Sequence, residues 1–136
     1  MMEDRAFQFR VDPDSGVPVF LQFVQQVRQA VLLGYLRPGD QLPTVKEVAA
    51  SAVVNPNTVV KAYRQLELEG LASPRPGAGT FVTAETVTPV PVRNLAAARR
   101  DLERFFGTAR RAGMTEAAVV AMFETVRRER WQEAAS

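Results

Sequence analysis

Apolar residues recur at helical spacing in five places along this chain, and the polar and turn-forming residues between them mark where each run stops. Phe20, Phe23, Val24, Val27 and Val31 fall at i, i+3, i+4, i+7 and i+11, the single apolar face of a helix. Pro18 can open that helix, since its missing N–H would go unpaired there, and Gly34 is placed to end it. Gln22, Gln25, Gln26, Arg28 and Gln29 are expected on the solvent side. Upstream, Phe7, Phe9 and Val11 alternate with Gln8 and Arg10, which predicts a short strand or an extended arm packed as a strap on the domain. The turn cluster Asp12-Pro13-Asp14-Ser15-Gly16 stops it.

A second, short helix starts at Thr44. Thr44-Val45-Lys46-Glu47 has the capping-box form, and Val45, Val48 and Ala49 give it a buried face with Lys46 outside. Asn55-Pro56 interrupts it and opens a third helix, expected over 56–69 with Gly70 just past its end. Val59, Ala62, Tyr63 and Leu66 point inward, while Asn57, Val60, Lys61 and Arg64, at i, i+3, i+4 and i+7, share the opposite face. Segments 71–75 and 80–83 flank Pro76-Gly77-Ala78-Gly79 and predict a glycine-tipped hairpin. Gln41-Leu42 can add a short strand.

Residues 84–93, AETVTPVPVR, read as an extended linker because two prolines stand at alternate positions. Two further helices follow. Leu95, Ala98, Leu102, Phe105, Phe106 and Ala109 form one stripe, ended by Gly113, and Val119, Met122, Phe123 and Val126, with Trp131 beyond them, form the next, capped by Thr115. A two-helix hairpin cannot bury both stripes alone, so it needs the first domain or a second chain. The expected fold is therefore mainly α with a small β-hairpin. A winged helix-turn-helix domain over 1–83 is joined by the 84–93 linker to a helical dimerisation region over 94–136.

Composition narrows the chemistry. The 136 residues include no histidine and no cysteine, which removes disulfides, thiolate nucleophiles, the commonest metal ligands and the commonest general base. No constellation of carboxylates or lysines replaces them, so an enzyme, a metal site and a cofactor are not expected. No apolar run is long enough to span a bilayer, and MMEDRAFQFR lacks the apolar core of a signal peptide, so a cytoplasmic location is expected, with no membrane partner. Lys and Arg number 17 against 15 for Asp and Glu, and residues 44–83 carry four positive and three negative charges. That near balance keeps open a protein-interaction module built on the same scaffold. If DNA is the partner, the positive charges act by placement rather than by number.

The placement favours DNA. Two tightly joined helices, the second with a polar outer face, are the helix-turn-helix arrangement, whose second helix enters the major groove. Asn57 can pair with adenine, Lys61 or Arg64 can donate to guanine, and Val60 can meet a thymine methyl. Thr58 and Lys46 are better placed for phosphate. Asn55 at the helix start, and Arg75, Gly77, Gly79 and Thr80 on the hairpin as wing, complete the candidate DNA-binding set. Taken singly, Lys61 and Arg64 are what any solvated helix face carries, and Asn57 can simply serve the helix start. It is the ordered combination that carries the reading.

Gly34-Tyr35-Leu36-Arg37-Pro38-Gly39-Asp40-Gln41-Leu42-Pro43-Thr44, Asn55-Pro56-Asn57-Thr58-Val59-Val60-Lys61-Ala62-Tyr63, Leu66-Glu67 to Gly70 and Gly77-Ala78-Gly79-Thr80-Phe81-Val82 together resemble the winged helix of GntR-family bacterial transcription regulators. The resemblance covers roughly residues 7–83. Asp12-Pro13, Ser15-Gly16 and Pro18-Val19-Phe20-Leu21-Gln22, with the short helical tail, look most like the YtrA-type subfamily. It implies a homodimer on an inverted-repeat operator, usually a repressor. Its interface would bury Leu95, Leu102, Phe105, Phe106, Val119, Met122, Phe123 and Val126. The family usually has arginine where Lys46 stands, and lysine lacks the planar fork, which points this position to phosphate. The tail is too small for the larger effector pockets of longer relatives. It leaves room only for a small effector site, of unspecified chemistry, at the dimer interface.

Overall fold

The computed structural model describes residues 7–83 and 90–135. Residues 84–89, most of the expected linker, lie outside that range, as do the first six and the last. The chain divides into two compact units, Met1–Val90 and Pro91–Ser136. In order, the elements are α1 (Val19–Leu32), α2 (Val45–Ala52), α3 (Pro56–Leu68), β1 (Ala72–Arg75), β2 (Gly79–Val82), α4 (Val92–Arg111) and α5 (Glu116–Ala135). The fold is mainly α with one two-stranded antiparallel sheet. Helix α4 begins inside the stretch expected as linker, with Pro91 as its N-cap.

The helix ends follow from local chemistry. Three helices stop in the same way: α1, α3 and α4 are each followed by a positive-φ glycine, Gly34, Gly70 and Gly113. In each, the N–H after the glycine donates to the carbonyl four residues before that glycine, as Leu71 does to Leu66 at 2.9 Å. The glycine N–H itself donates three residues back. Carbonyls that the helix leaves orphaned are thereby satisfied, and only glycine enters the left-handed region without a Cβ penalty.

Helices α1, α2 and α3 and the sheet enclose one core. Phe23, Val27, Val59, Ala62 and Leu66 are wholly buried, with Phe9, Val24, Val31, Leu42, Val48, Tyr63 and Val82 around them. Phe9 stands 4.6 Å from the Phe23 ring and 6.2 Å from Tyr63, so the N-terminal segment is part of this core. Residues 7–12 form neither helix nor strand. Two glutamines of α1 take the place of a partner strand. The Gln26 carboxamide accepts from the Arg10 N–H at 2.8 Å and donates to the Arg10 carbonyl at 2.6 Å. One turn earlier Gln22 accepts from the Asp12 N–H at 2.8 Å and donates to the Asp12 carbonyl at 3.0 Å. Gln22 also donates to Ser15 Oγ and the Val17 carbonyl. Gln22 is 7% exposed, so the expectation that it faces solvent is corrected. An amide with a full set of backbone partners is stable inside a protein, where an unpaired one is not.

The second unit is different. Thr115 Oγ1 caps α5 by accepting from the Ala118 N–H at 3.1 Å. Only Ala109 among its described side chains is buried. Leu102, Phe106, Met122, Phe123 and Val126 all stay exposed, Phe123 at 57%. Neither helix covers the other's apolar stripe.

Candidate nucleic-acid interface

The site begins at the cap of α2. Thr44 Oγ1 accepts from the Glu47 N–H at 3.1 Å, and Glu47 Oε1 accepts from the Thr44 N–H at 2.8 Å. These bonds, the Thr44 backbone first and its hydroxyl second, hold the Glu47 carboxyl below its ordinary range. The acid at the start of α2 is thus consumed in a cap, beside the exposed Lys46.

Between α2 and α3 the chain reverses at Val53, whose φ of 54° and ψ of 56° are left-handed. The Val54 N–H returns to the Ala49 carbonyl at 3.1 Å, the bond that glycine supports at the ends of α1, α3 and α4. Val53 is 86% exposed, so no packing compensates for its β-branched strain. Asn55 then caps α3, its Oδ1 accepting from the Asn57 N–H at 2.8 Å, with Pro56 as first helical residue. The Asn55 amide oxygen is therefore committed to the helix start.

Helix α3 is oriented by its inner face. Val59, Ala62, Tyr63 and Leu66 are buried, as their spacing requires. The Tyr63 hydroxyl donates to the Pro43 carbonyl just before α2, tying the two helices together. Burial, and then the Glu47 charge, push the Tyr63 phenol upward, so it remains a neutral donor.

On the outer face Asn57, Lys61 and Arg64 are exposed, while Thr58 and Val60 are half-buried. Lys61 is not loose: its Nζ lies 4.2 Å from the centre of the Phe20 ring on α1. At the far end of α3, Glu69 pairs with Arg28 and accepts from Gln65 at 2.9 Å. Its carboxyl is held below the ordinary range by Gln65 first and Arg28 second. Glu47 and Glu69 are thus both engaged in local bonds, while Glu67, one turn beyond Arg64, is half-buried.

The hairpin extends the site. In register, Ala72 pairs with Val82, Ser73 with Phe81, Pro74 with Thr80 and Arg75 with Gly79. The Ala78 N–H donates to the Arg75 carbonyl at 2.9 Å around Pro76 and the positive-φ Gly77, the residue pattern of a type II turn. The Arg75 guanidinium lies 4.1 Å from the Phe81 ring centre. Gln41 forms a bridge with Phe81, so the expected short strand is reduced to one rung beside β2. Sequence reasoning missed the second role of Gln41: its Nε2 donates to the Ala78 carbonyl at 2.8 Å, at the hairpin tip. Among the described residues no group of three or more His, Cys, Asp or Glu can hold a metal, and no helix is long and apolar enough to cross a membrane.

The model of the bacterial regulatory proteins of the gntR family matches residues 21–82. The HTH-type transcriptional repressor YtrA of Bacillus subtilis is 35% identical over 105 residues, 77% of this chain and 81% of that protein. YtrA from Sulfolobus acidocaldarius, described as a GntR-family transcription factor, shares 30% identity at a TM-score of 0.54, over 74% of this chain and 99% of that one. The crystal structure of AraR(DBD) in complex with operator ORX1 matches at 26% identity and a TM-score of 0.50, over 57% of this chain and 99% of that one.

Proposed function

The chain belongs to the gntR family of bacterial regulatory proteins, and from that premise we propose that it is a repressor binding an inverted-repeat operator as a homodimer, with α3 in the major groove and the β1–β2 hairpin as wing. That it is a DNA-binding transcriptional regulator rather than an enzyme follows from the family. The finer reading rests on one observation above others: Asn57, Lys61 and Arg64 stand exposed on one face of α3, while Glu47 and Glu69 are engaged elsewhere.

In this reading Asn57 pairs with adenine, and Lys61 and Arg64 donate to guanine. Half-buried Val60 offers only its outer methyl to a thymine. Lys46 and Thr58 meet phosphate through their side chains, which sets register, since the Asn57 and Thr58 N–H groups are taken up by Asn55. Arg75, Gly77, Gly79 and Thr80 form the approaching surface of the wing. Repression is supported by the name of the Bacillus subtilis relative.

Dimerisation through residues 94–136 is supported by the exposed stripes of α4 and α5. Leu95, Leu102, Phe105, Phe106, Val119, Met122, Phe123 and Val126 need a second copy to leave water. The protein acts, in this reading, in the cytoplasm where its DNA lies. Sedimentation of Phe106→Asp tests the interface: it should give monomers with crippled operator binding, and a variant that stays dimeric would remove Phe106 from it.

A further inference from the structure

One face of the hairpin is organised around a missing side chain. Arg75 and Gly79 pair across the strands, and two rungs on Ser73 pairs with Phe81, which Gln41 flanks on the other side. Side chains of alternate residues share a face, so Arg75, Gly79, Phe81 and Gln41 lie together. Gly79 leaves its place empty, and Gln41 fills it. A Cβ built on Gly79 would stand 2.6 Å from Gln41 Nε2 and 3.5 Å from its Cδ. Across that bare backbone the Gln41 amide reaches the Ala78 carbonyl at 2.8 Å. Arg75 lies along Phe81 on the same side.

The segment carrying Gln41 is itself held. The Gly39 N–H donates to Val82, Leu42 donates to Thr80, and Val82 donates to the Asp40 carbonyl, each at 2.8 Å. Leu42 is buried in the core. Gln41 therefore reaches the tip from a fixed base, whereas the tip itself is exposed and carries two positive-φ glycines. The turn Pro76-Gly77-Ala78 is otherwise closed by the bond from the Ala78 N–H to the Arg75 carbonyl, and Gly77 with the adjoining Gly79 leaves that backbone more freedom than other residues would.

We infer that Gln41 is a positioning residue for the wing: it fixes the tip through the Ala78 carbonyl, so that Arg75 and the Gly77–Gly79 backbone approach DNA in one shape. This rests on the wing reading above. It predicts that ordering the tip upon binding costs little in the wild type and more without the Gln41 amide.

The test uses the full chain and a duplex selected by the wild-type protein. Gln41→Ala, and Gln41→Met, which keeps the bulk but not the donor, should both lower affinity about threefold to tenfold, the range of one modest hydrogen bond. Both should remove hydroxyl-radical protection of the sugars under the wing. Guanine N7 protection by α3 should not change. In the free protein, amide exchange at Ala78 and Gly79 should quicken. Gly79→Ala should weaken binding in the wild-type background and cost less beside Gln41→Ala, because the amide it displaces is already gone. Unchanged protection under the wing, unchanged exchange, or an equal loss of wing and α3 protection would overturn the role. Wild-type protein that selects no duplex would instead overturn the DNA reading, before any variant is compared.

Discussion

The ammonium of Lys61 on α3 lies 4.2 Å from the centre of the Phe20 ring on α1. Both residues belong to faces that periodicity assigns correctly, one polar and one apolar, and the contact joins them at the boundary. A cation held over an aromatic ring gains about 0.5–1 kcal/mol at an exposed site and loses rotamer freedom before any partner arrives. Phe20→Leu keeps the packing but removes the ring. It should weaken operator binding by about threefold, in line with losing that pre-ordering. Lys61→Ala should weaken it more and relax preference at one base pair. Titration of both variants against a selected duplex and its single-base derivatives checks this. Equal binding by all three proteins would place Lys61 outside the reading surface.

Arg64 and Lys46 should separate by the kind of loss. Arg64→Ala should cost about 1–3 kcal/mol and broaden preference at one position, the mark of a base-edge contact. Lys46→Ala should weaken all sequences alike and reduce the slope of log affinity against log salt by about one. Binding isotherms over a salt series, on specific and scrambled duplexes, distinguish them.

Val53 sits in the left-handed region, 86% exposed, where α1, α3 and α4 end on glycine. A side chain there costs roughly 1–2 kcal/mol, whereas asparagine tolerates the conformation. Val53→Asn should therefore raise stability by about 1 kcal/mol in urea unfolding. A destabilised Val53→Asn would mean that the turn does not hold this backbone.

The capping box makes a prediction about pH. Bonds from Thr44 hold Glu47 below its ordinary value, so its contribution to stability is full above that ordinary value and is lost as pH falls through the lowered one. In Glu47→Gln the side-chain amide would still accept from Thr44 but cannot titrate. Between about pH 5 and pH 3 the wild type should lose stability that Glu47→Gln does not lose. Parallel melts of the two proteins across that window report it; parallel curves would show that Glu47 takes no part.

What was legible in the chain was what local chemistry decides. Thr44 with Glu47, Asn55 with Pro56, and Gly34, Gly70 and Gly113 each act within one turn of helix, so the element ends could be read directly. The inner face of α3 followed from spacing, because Val59, Ala62, Tyr63 and Leu66 have one side to occupy. Gln22, Gln26 and Gln41 were not legible. Their amides reach backbone groups as far as 10, 16 and 37 residues away in sequence, and a glutamine bound to a distant carbonyl is spelled like a solvated one. The one local hint was that Gln22 and Gln26, one turn apart, match the two-residue step of the extended arm. Val53 was hidden for the opposite reason: valine is the residue that a left-handed turn should exclude. What covers the α4 and α5 stripes, and what the outer face of α3 meets, depends on molecules other than this chain.

The central claim is that two copies of this chain present two α3 helices to one stretch of duplex. In vitro selection from a random DNA library with the full-length protein measures this most directly. The expected result is an enriched inverted repeat whose half-site centres lie about 34 Å apart or a multiple of that, one helical turn per step. An enriched single half-site with no symmetry, or no enrichment at all, would contradict it.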